Sequence, residues 1–396
     1  MAFLIPKNPK LRGRLLGGAT TDAFRMLPLA ANGSAFEFTL CRNAIYHAVR
    51  TFGVKAGDRL LAPSYHCATS IEPLMQAGVE VDFYRVRKDC SIDIADIRRR
   101  IDERTRGLLA IHYFGFPQLM EELRQVCDSS GLYLIEDCAH VLTGAQGNYV
   151  MGQLGDVSVF SWRKFLPVYD GGFLLINNPE LKLNVAWESP AWLFNVKAAK
   201  NTLSRLATDS GSQFGRAANR VLGAPTRMLK KVMPARIAHE SFSKGATYKP
   251  EFDPSSVNLP ISRVSRRIIA RSEISSIVAA RRRNYRYLEA GLRSVGGVRP
   301  VFPELPEGVC PLAFPIDASG TTGVNSRMRA AGIPSFTWEA VVHPGLALDE
   351  HPDAGYLYPN VVMLPLHQDL ENADLDRNLE VLTTIARSSA DSVRAG

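Results

Sequence analysis

An aspartate and a lysine stand twenty-seven positions apart in this chain (Asp137 and Lys164; 164 − 137 = 27), each beside an apolar run. Leu132-Tyr133-Leu134-Ile135 leads into Glu136-Asp137-Cys138-Ala139-His140. Val157-Ser158-Val159-Phe160-Ser161-Trp162 leads into Arg163-Lys164 and then Asp170-Gly171-Gly172. Apolar surroundings desolvate a carboxylate unless a cation meets it. They also lower a lysine's pKa and make the amine nucleophilic. Pyridoxal phosphate needs both charges, at opposite ends of its ring system. A carboxylate keeps its pyridine nitrogen protonated, and a lysine forms the Schiff base and then moves protons. Gly171 and Gly172 suit a close backbone approach or a turn with φ > 0. His140 packs against such a ring, orients Asp137, or is a satisfied core histidine.

The pair must be held by a scaffold, and the chain spells one out. Strand-like runs alternate with helical patterns from about residue 40 to 177. Helices are expected at Arg42–Thr51, Ser70–Gln76, Ile94–Ile101 and Met120–Cys127. Strands are expected at Asp58–Pro63, Val79–Val86, Gly107–Tyr113, Leu132–Ile135, Val157–Ser161 and Phe173–Asn177. Such alternation with short turns implies an α/β fold with a largely parallel sheet, and ligands beyond the carboxyl ends of the strands. Asp137 and Lys164 both fall just past expected strand ends. A further short strand, Phe36–Leu40, runs into Cys41-Arg42-Asn43-Ala44 and a helix. The free N–H groups of that turn, with the side chains of Arg42 or Asn43, suit a phosphate; a plain Asn cap is the alternative.

Composition sets the outer bounds. The 396 residues are 46% apolar and 22% charged, which is ordinary for a globular protein. No window approaches a membrane span, and the N-terminus lacks the apolar stretch of a secretory signal. The six cysteines form no Cys-x-x-Cys pair, so neither a metal cluster nor a disulfide framework is expected, and a cytoplasmic setting is. Residues 189–250 carry eleven Lys or Arg against two acids, a surplus of +9 in a chain whose net charge is +8. Domains are expected at 1–188 (the large, ligand-binding one), 189–250 (a basic Ser/Ala-rich insertion) and 251–396. The last begins with one long helix, about Val264–Val295, and adds a small domain with strands at Leu312–Ile316 and Val361–Leu364.

Five motifs in order over residues 36–178 resemble the DegT/DnrJ/EryC1/StrS sugar aminotransferases. They are Cys41-Arg42-Asn43-Ala44-Ile45-Tyr46, Gly57–Tyr65, Ile111–Pro117, Ile135–His140 and Gly152–Trp162. The resemblance implies a three-layer pyridoxal-phosphate transferase fold (fold type I, like aspartate aminotransferase) with a smaller C-terminal α/β domain. It implies a homodimer moving an amino group from an amino acid, glutamate, to a keto sugar carried on a nucleotide. Lys164 would carry the internal aldimine, Asp137 would meet the pyridine nitrogen, and His140 would lie near the ring. Arg42, Asn43 and Ser161 would hold the phosphate, with Asn258 reaching it from the partner subunit. The chain departs from the family pattern where Ser-Gly-Thr has become Cys41-Arg42-Asn43. It also has Cys67 where an aromatic usually stacks on the cofactor, which leaves Tyr65, His66 or Cys67 at the ring. A lysine rather than a histidine at 164 favours transamination over dehydration.

Residues 189–250 contain basic amphipathic stretches, Trp192–Lys200 and Arg227–Met233. They suit a solvated insertion packed on the domain, a lid over the substrate, or a peripheral membrane contact. Nucleic acid is not expected, because few aromatics stand among the basic residues. Two alternatives to transamination stay open: another pyridoxal-phosphate reaction (elimination, decarboxylation or aldol cleavage), and a cofactor-less binding or regulatory relative.

Overall fold

An apolar run of strand length buries both faces only as an inner strand of a covered sheet. The computed structural model, which describes residues 5–17, 21, 34–188, 192–209 and 251–394, builds such a sheet. Its strands, with one small hairpin, are β1 (Ser34–Phe38), β2 (Arg59–Pro63), β3 (Glu80–Tyr84), β4 (Thr105–Ile111), β5 (Tyr133–Cys138), β6 (Ala145–Gln146), β7 (Tyr149–Val150), β8 (Val157–Ser161) and β9 (Gly172–Ile176). Seven of them lie in the order β1-β9-β8-β5-β4-β2-β3, and β6 with β7 forms the hairpin. β3, β2, β4, β5 and β8 pair in parallel. β9 runs against both its neighbours, β8 and β1. The central strands β5 and β8 are buried almost throughout, as their continuous apolar runs require.

Helices α1 (Cys41–Thr51), α2 (Ala68–Gln76), α3 (Ile94–Arg100) and α4 (Met120–Ser130) connect these strands. Local chemistry sets their ends. The Asp93 carboxylate accepts from the Asp96 N–H (3.2 Å) to start α3. Gly131, at φ 64°, stops α4 in the left-handed conformation. Farther on lie α5 (Trp192–Asp209), α6 (Arg263–Ile269), α7 (Ile274–Leu292), α8 (Val324–Ala330), α9 (Pro352–Asn360) and α10 (Asn372–Arg394). A second, antiparallel sheet joins β10 (Arg299–Pro300), β11 (Phe314–Asp317) and β12 (Val361–Leu364).

Three sequence expectations shift. Asp137 lies inside β5, not past it, because its carbonyl still accepts from the His112 N–H (3.1 Å) and it pairs with Val159 of β8. The single helix expected at 264–295 is two. Between α6 and α7 the carbonyls of Ala270 and Ser272 accept from Thr21, and the Ser272 hydroxyl caps Ile268 (2.9 Å), so the helical ladder stops there. The strand expected from Leu312 begins at Phe314, since the Leu312 N–H is given to the Phe114 carbonyl (2.8 Å).

Residues 251–265 return to the first sheet before the chain crosses to the second. Pro260 bridges Phe38, the Thr39 N–H donates to Leu259 (3.0 Å), and Ser262 and Ser265 donate to the buried carboxylate of Asp170. Among the described residues, no helix is long and apolar enough to cross a membrane.

The closest backbone approach is at Gly172, where a Cβ would fall on the backbone of Leu40 and Cys41 at the start of α1. Neither atom can yield as a flexible side chain would. Gly172→Val is expected to destabilise the protein by about 3 kcal/mol or more. Urea unfolding of the variant against wild type measures it.

Candidate functional site

β5 carries two consecutive carboxylates that face opposite ways, as strand periodicity demands. Both are buried, and their surroundings differ. Glu136 is saturated: His112 Nε2 (2.9 Å) and the N–H groups of Gly152 (2.6 Å), Leu154 (3.1 Å) and Gly155 (3.0 Å) all donate to it. Burial alone would raise its pKa, but His112 and these N–H donors hold it below the ordinary carboxylate value. Among the described residues, Asp137 receives one hydrogen bond, from the Ala139 N–H (2.8 Å). Burial raises its pKa, opposed by that N–H and by the charges of Lys164 and His112. One carboxylate is fixed and satisfied; its neighbour is short of a cation. His112, Glu136 and Cys138 lie within 4.8 Å of one another, a spacing that suits a metal ion. However, the Glu136 oxygens and both His112 nitrogens already have partners, so the trio reads as the anchor of the 152–155 loop.

Lys164 ends a 3-10 turn, Trp162–Lys164, that leaves β8 immediately after Ser161. The turn is tied to the neighbouring strand by the Trp162 N–H, which donates to Gly171 (3.0 Å). Gly171 in turn donates to Thr39 (2.9 Å). The β5–β8 register therefore brings Asp137, Ser161 and Lys164 to one small cavity of about 50 Å³. Helix starts at Cys41 and Cys67–Ser70 also line it. Helix N-termini favour an anion.

His140 faces the same space. Its Nδ1 accepts from the Phe114 N–H (3.2 Å), which leaves the ring proton on Nε2. Burial, then the charges of Lys164 and His112, push its pKa well down, so the ring is neutral at pH 7. Phe114 holds a left-handed conformation (φ 57°) and stacks on His140 with ring centroids 5.9 Å apart. Such a conformation in a bulky residue stores strain, which suits a position fixed for function.

The other residues singled out from sequence divide. Ser161 and Cys67 line the small cavity. Arg42 lines it too, but its guanidinium is spent on Glu251, donating to the carboxylate (2.8 Å) and to the carbonyl (2.8 Å). Asn43 turns away and donates to the Ser256 carbonyl (2.8 Å). Asn258 bonds His47 of its own chain. Tyr65 and His66 do not reach the cavity. Tyr65 is buried among Tyr113, Trp338 and Tyr358, and His66 stacks on Phe83 (5.0 Å) with Nδ1 bonded to Pro63 (2.8 Å). Strand alternation and the turn into α2 aim both into the core and leave Cys67 to face out.

The aromatic that does close the site was not legible in sequence. Trp338, from the C-terminal part, lies 5.4 Å from His140 and lines the small cavity. Nothing local marks it, because its role depends on packing between residues some two hundred apart. Beyond it opens a larger cavity of about 220 Å³, shared by Lys164 and His140 and lined by Arg163, Arg205, Arg281 and Arg329. Among the described residues, no aspartate or glutamate lines it. Arg205 belongs to α5, the described part of the basic stretch. α5 packs through Phe194 and Ala198 against Tyr169. The amphipathic stretch Arg227–Met233 lies outside the described residues.

The residues around this cavity fit pyridoxal phosphate. They offer an undercompensated buried carboxylate, a lysine, a neutral imidazole and two helix starts around one cavity.

Comparison with known proteins agrees. A family model described as the DegT/DnrJ/EryC1/StrS aminotransferase family matches residues 28–229. The chain is 30% identical over 138 residues to the GDP-perosamine synthase of Vibrio cholerae, covering 34% of this chain and 38% of that protein. It is 29% identical over 142 residues to the dTDP-3-amino-3,4,6-trideoxy-alpha-D-glucose transaminase of Micromonospora megalomicea subsp. nigra, covering 35% and 38%. Each match spans little more than a third of the relative's own length. The structure of Helicobacter pylori PseC, an aminotransferase involved in the biosynthesis of pseudoaminic acid, superposes with a TM-score of 0.65 at 14% identity, covering 92% of this chain and 89% of that one. That likeness shows the fold: a three-layer, fold type I transferase architecture with a smaller C-terminal α/β domain.

The raised pKa of Asp137 has a sign. Above the ordinary carboxylate value the unfolded chain ionises more readily than the native one. Asp137 therefore costs the cofactor-free protein stability as pH rises through its native pKa. Asp137→Asn keeps the acceptor for Ala139 and removes the charge. The cofactor-free variant is expected to melt at or above wild type at pH 7, with the difference vanishing below about pH 4. It is also expected to retain added pyridoxal phosphate roughly tenfold less well. Thermal melts at both pH values and a cofactor titration check this.

Proposed function

Because this chain belongs to the DegT/DnrJ/EryC1/StrS aminotransferase family, we propose that it is a pyridoxal-phosphate aminotransferase. In this reading it moves an amino group from an amino acid, glutamate, to a keto sugar carried on a nucleotide, and works as a homodimer. The named activities of the relatives on GDP- and dTDP-linked sugars support the acceptor class. The observation that carries the reading is the convergence of Asp137, Lys164 and neutral His140 on one cavity.

When bound, pyridoxal phosphate supplies a protonated ring that withdraws electrons from the substrate carbon being deprotonated. Each residue then has a defined task. The Asp137 carboxylate holds the proton on the ring nitrogen, and the cation it gains there relieves its burial. Lys164 Nζ takes the proton from the donor's α-carbon and returns it to the adjoining centre. His140 offers its Nε2–H while staying uncharged, so it adds no positive charge against Lys164. Ser161 and the starts of α1 and α2 hold the phosphate. Trp338 excludes water from the reacting atoms. Arg205 of α5 and the N-terminal residues Lys7 to Pro9 wall the larger cavity, which suits a negatively charged acceptor.

A cofactor-free binding relative is the second reading. It is favoured by Arg42, whose guanidinium is committed to Glu251 instead of standing free for a phosphate.

The absorbance spectrum separates the two readings. Wild-type protein with pyridoxal phosphate is expected to show a visible band that shifts on adding glutamate. Lys164→Ala is expected to lose that band or alter it, with amino transfer down at least about a thousandfold. Protein that stays colourless with added cofactor supports the binding relative.

A further inference from the structure

Arg281 is the most deeply buried cation of the larger cavity, only 1% exposed on α7. Its partners among the described residues are neutral. Nε donates to Gln368 Oε1 (3.1 Å), and Nη1 donates to the carbonyls of Pro311 (3.2 Å) and Leu312 (3.0 Å). The guanidinium lies over the Phe165 ring, 4.8 Å from its centroid. No carboxylate among the described residues contacts it. The nearest that acts on it, Asp369, is spent on Arg12 (2.8 Å) and the Lys10 N–H (2.9 Å). Burial lowers its pKa to about 10, which still leaves it charged at pH 7. Nη2 makes no hydrogen bond to the described residues, and Arg281 is one of the residues that line the larger cavity.

A buried charge without a counter-ion is costly, and a site that keeps one is built to receive an anion. Position narrows the choice. Phe165 directly follows Lys164, so the guanidinium stacks on the residue adjoining the reactive amine. An amino donor bears its carboxylate on the same carbon as its amine, one bond from the reacting centre. Arginine presents a planar fork that matches a carboxylate or a phosphate.

We propose that Arg281 holds a substrate oxyanion beside Lys164 through the guanidinium N–H groups that the protein leaves unbonded, and so selects for anionic substrates. The proposal rests on the transamination reading above. Two sources share this chemistry: the donor's carboxylate and the acceptor's phosphate.

Calorimetric titration of the full chain tests it with two probes. Glutarate has glutamate's two carboxylates and no amine to react, and inorganic pyrophosphate mimics a phosphate-linked acceptor. Wild type, Arg281→Gln and Arg281→Lys are compared. Gln still offers an N–H to the Pro311 and Leu312 carbonyls but carries no charge. Arg281→Gln is expected to weaken at least one probe roughly ten- to a hundredfold, with partial recovery in Arg281→Lys. Loss of glutarate alone assigns the donor's carboxylate, loss of pyrophosphate alone assigns the acceptor's phosphate, and loss of both assigns one shared site. A purely structural Arg281 would lower the melting temperature and leave both affinities unchanged in folded protein, which overturns the proposal. Wild-type protein that binds neither probe overturns it too. Should Arg281→Gln fail to fold, Arg281→Met, uncharged and of similar length, carries the test, and affinities equal to wild type for both probes overturn it. The titrations need neither cofactor nor turnover. Protein that takes up no pyridoxal phosphate but binds glutarate through Arg281 would thus fail the functional reading and keep this one.

Discussion

A carboxylate inside a central β-strand costs free energy unless a cation or several N–H donors meet it, and β5 places two side by side. Glu136 is met four times over, by His112 and three backbone N–H groups. Those bonds tie the loop that leads into β8 to strand β5, and β8 delivers Ser161 and the turn bearing Lys164. The satisfied carboxylate thus fixes where the unsatisfied one, Asp137, meets the lysine. Strain and unmet charge are tolerated on one face because the opposite face is saturated.

The same logic extends into the larger cavity. Arg281 is held by neutral carbonyls and an aromatic face, and no carboxylate among the described residues contacts it. Around it the lining is cationic and, among the described residues, free of carboxylates. Water-accessible cations of one sign repel, so the protein gives up some stability here. Aromatic packing offsets this cost: Tyr65, Tyr113, Trp338 and Tyr358 join the first sheet to the second in one buried cluster. The Tyr358 hydroxyl donates to the carbonyls of Ser64 and His66 and accepts the His66 N–H (3.0 Å). Packing between the two sheets therefore holds Trp338 over the site.

The amphipathic reading of the basic stretch is sharpened by α5. Its apolar residues Phe194 and Ala198 face Tyr169, five residues beyond Lys164, and its Arg205 donates to the Pro9 carbonyl (2.6 Å). This places a distant, composition-biased segment and the N-terminal strap at the same cavity wall.

Sequence by itself determined the sheet and the placing of Asp137 and Lys164 near the ends of its strands. Continuous apolar runs can only be inner strands, and a strand order that is mostly parallel puts their carboxyl ends, with Asp137 and Lys164, on one edge. Periodicity and capping residues act over a few positions, so they are readable one segment at a time. Tertiary structure alone decided which side chains complete the site. Arg42 and Asn43 are drawn to Glu251 and Ser256 by a segment more than two hundred residues away, and Tyr65 and His66 are turned into the core. Trp338 and Arg281 enter from the C-terminal part of the chain. Their roles depend on non-local packing and on which buried charges find partners, and no local pattern encodes either.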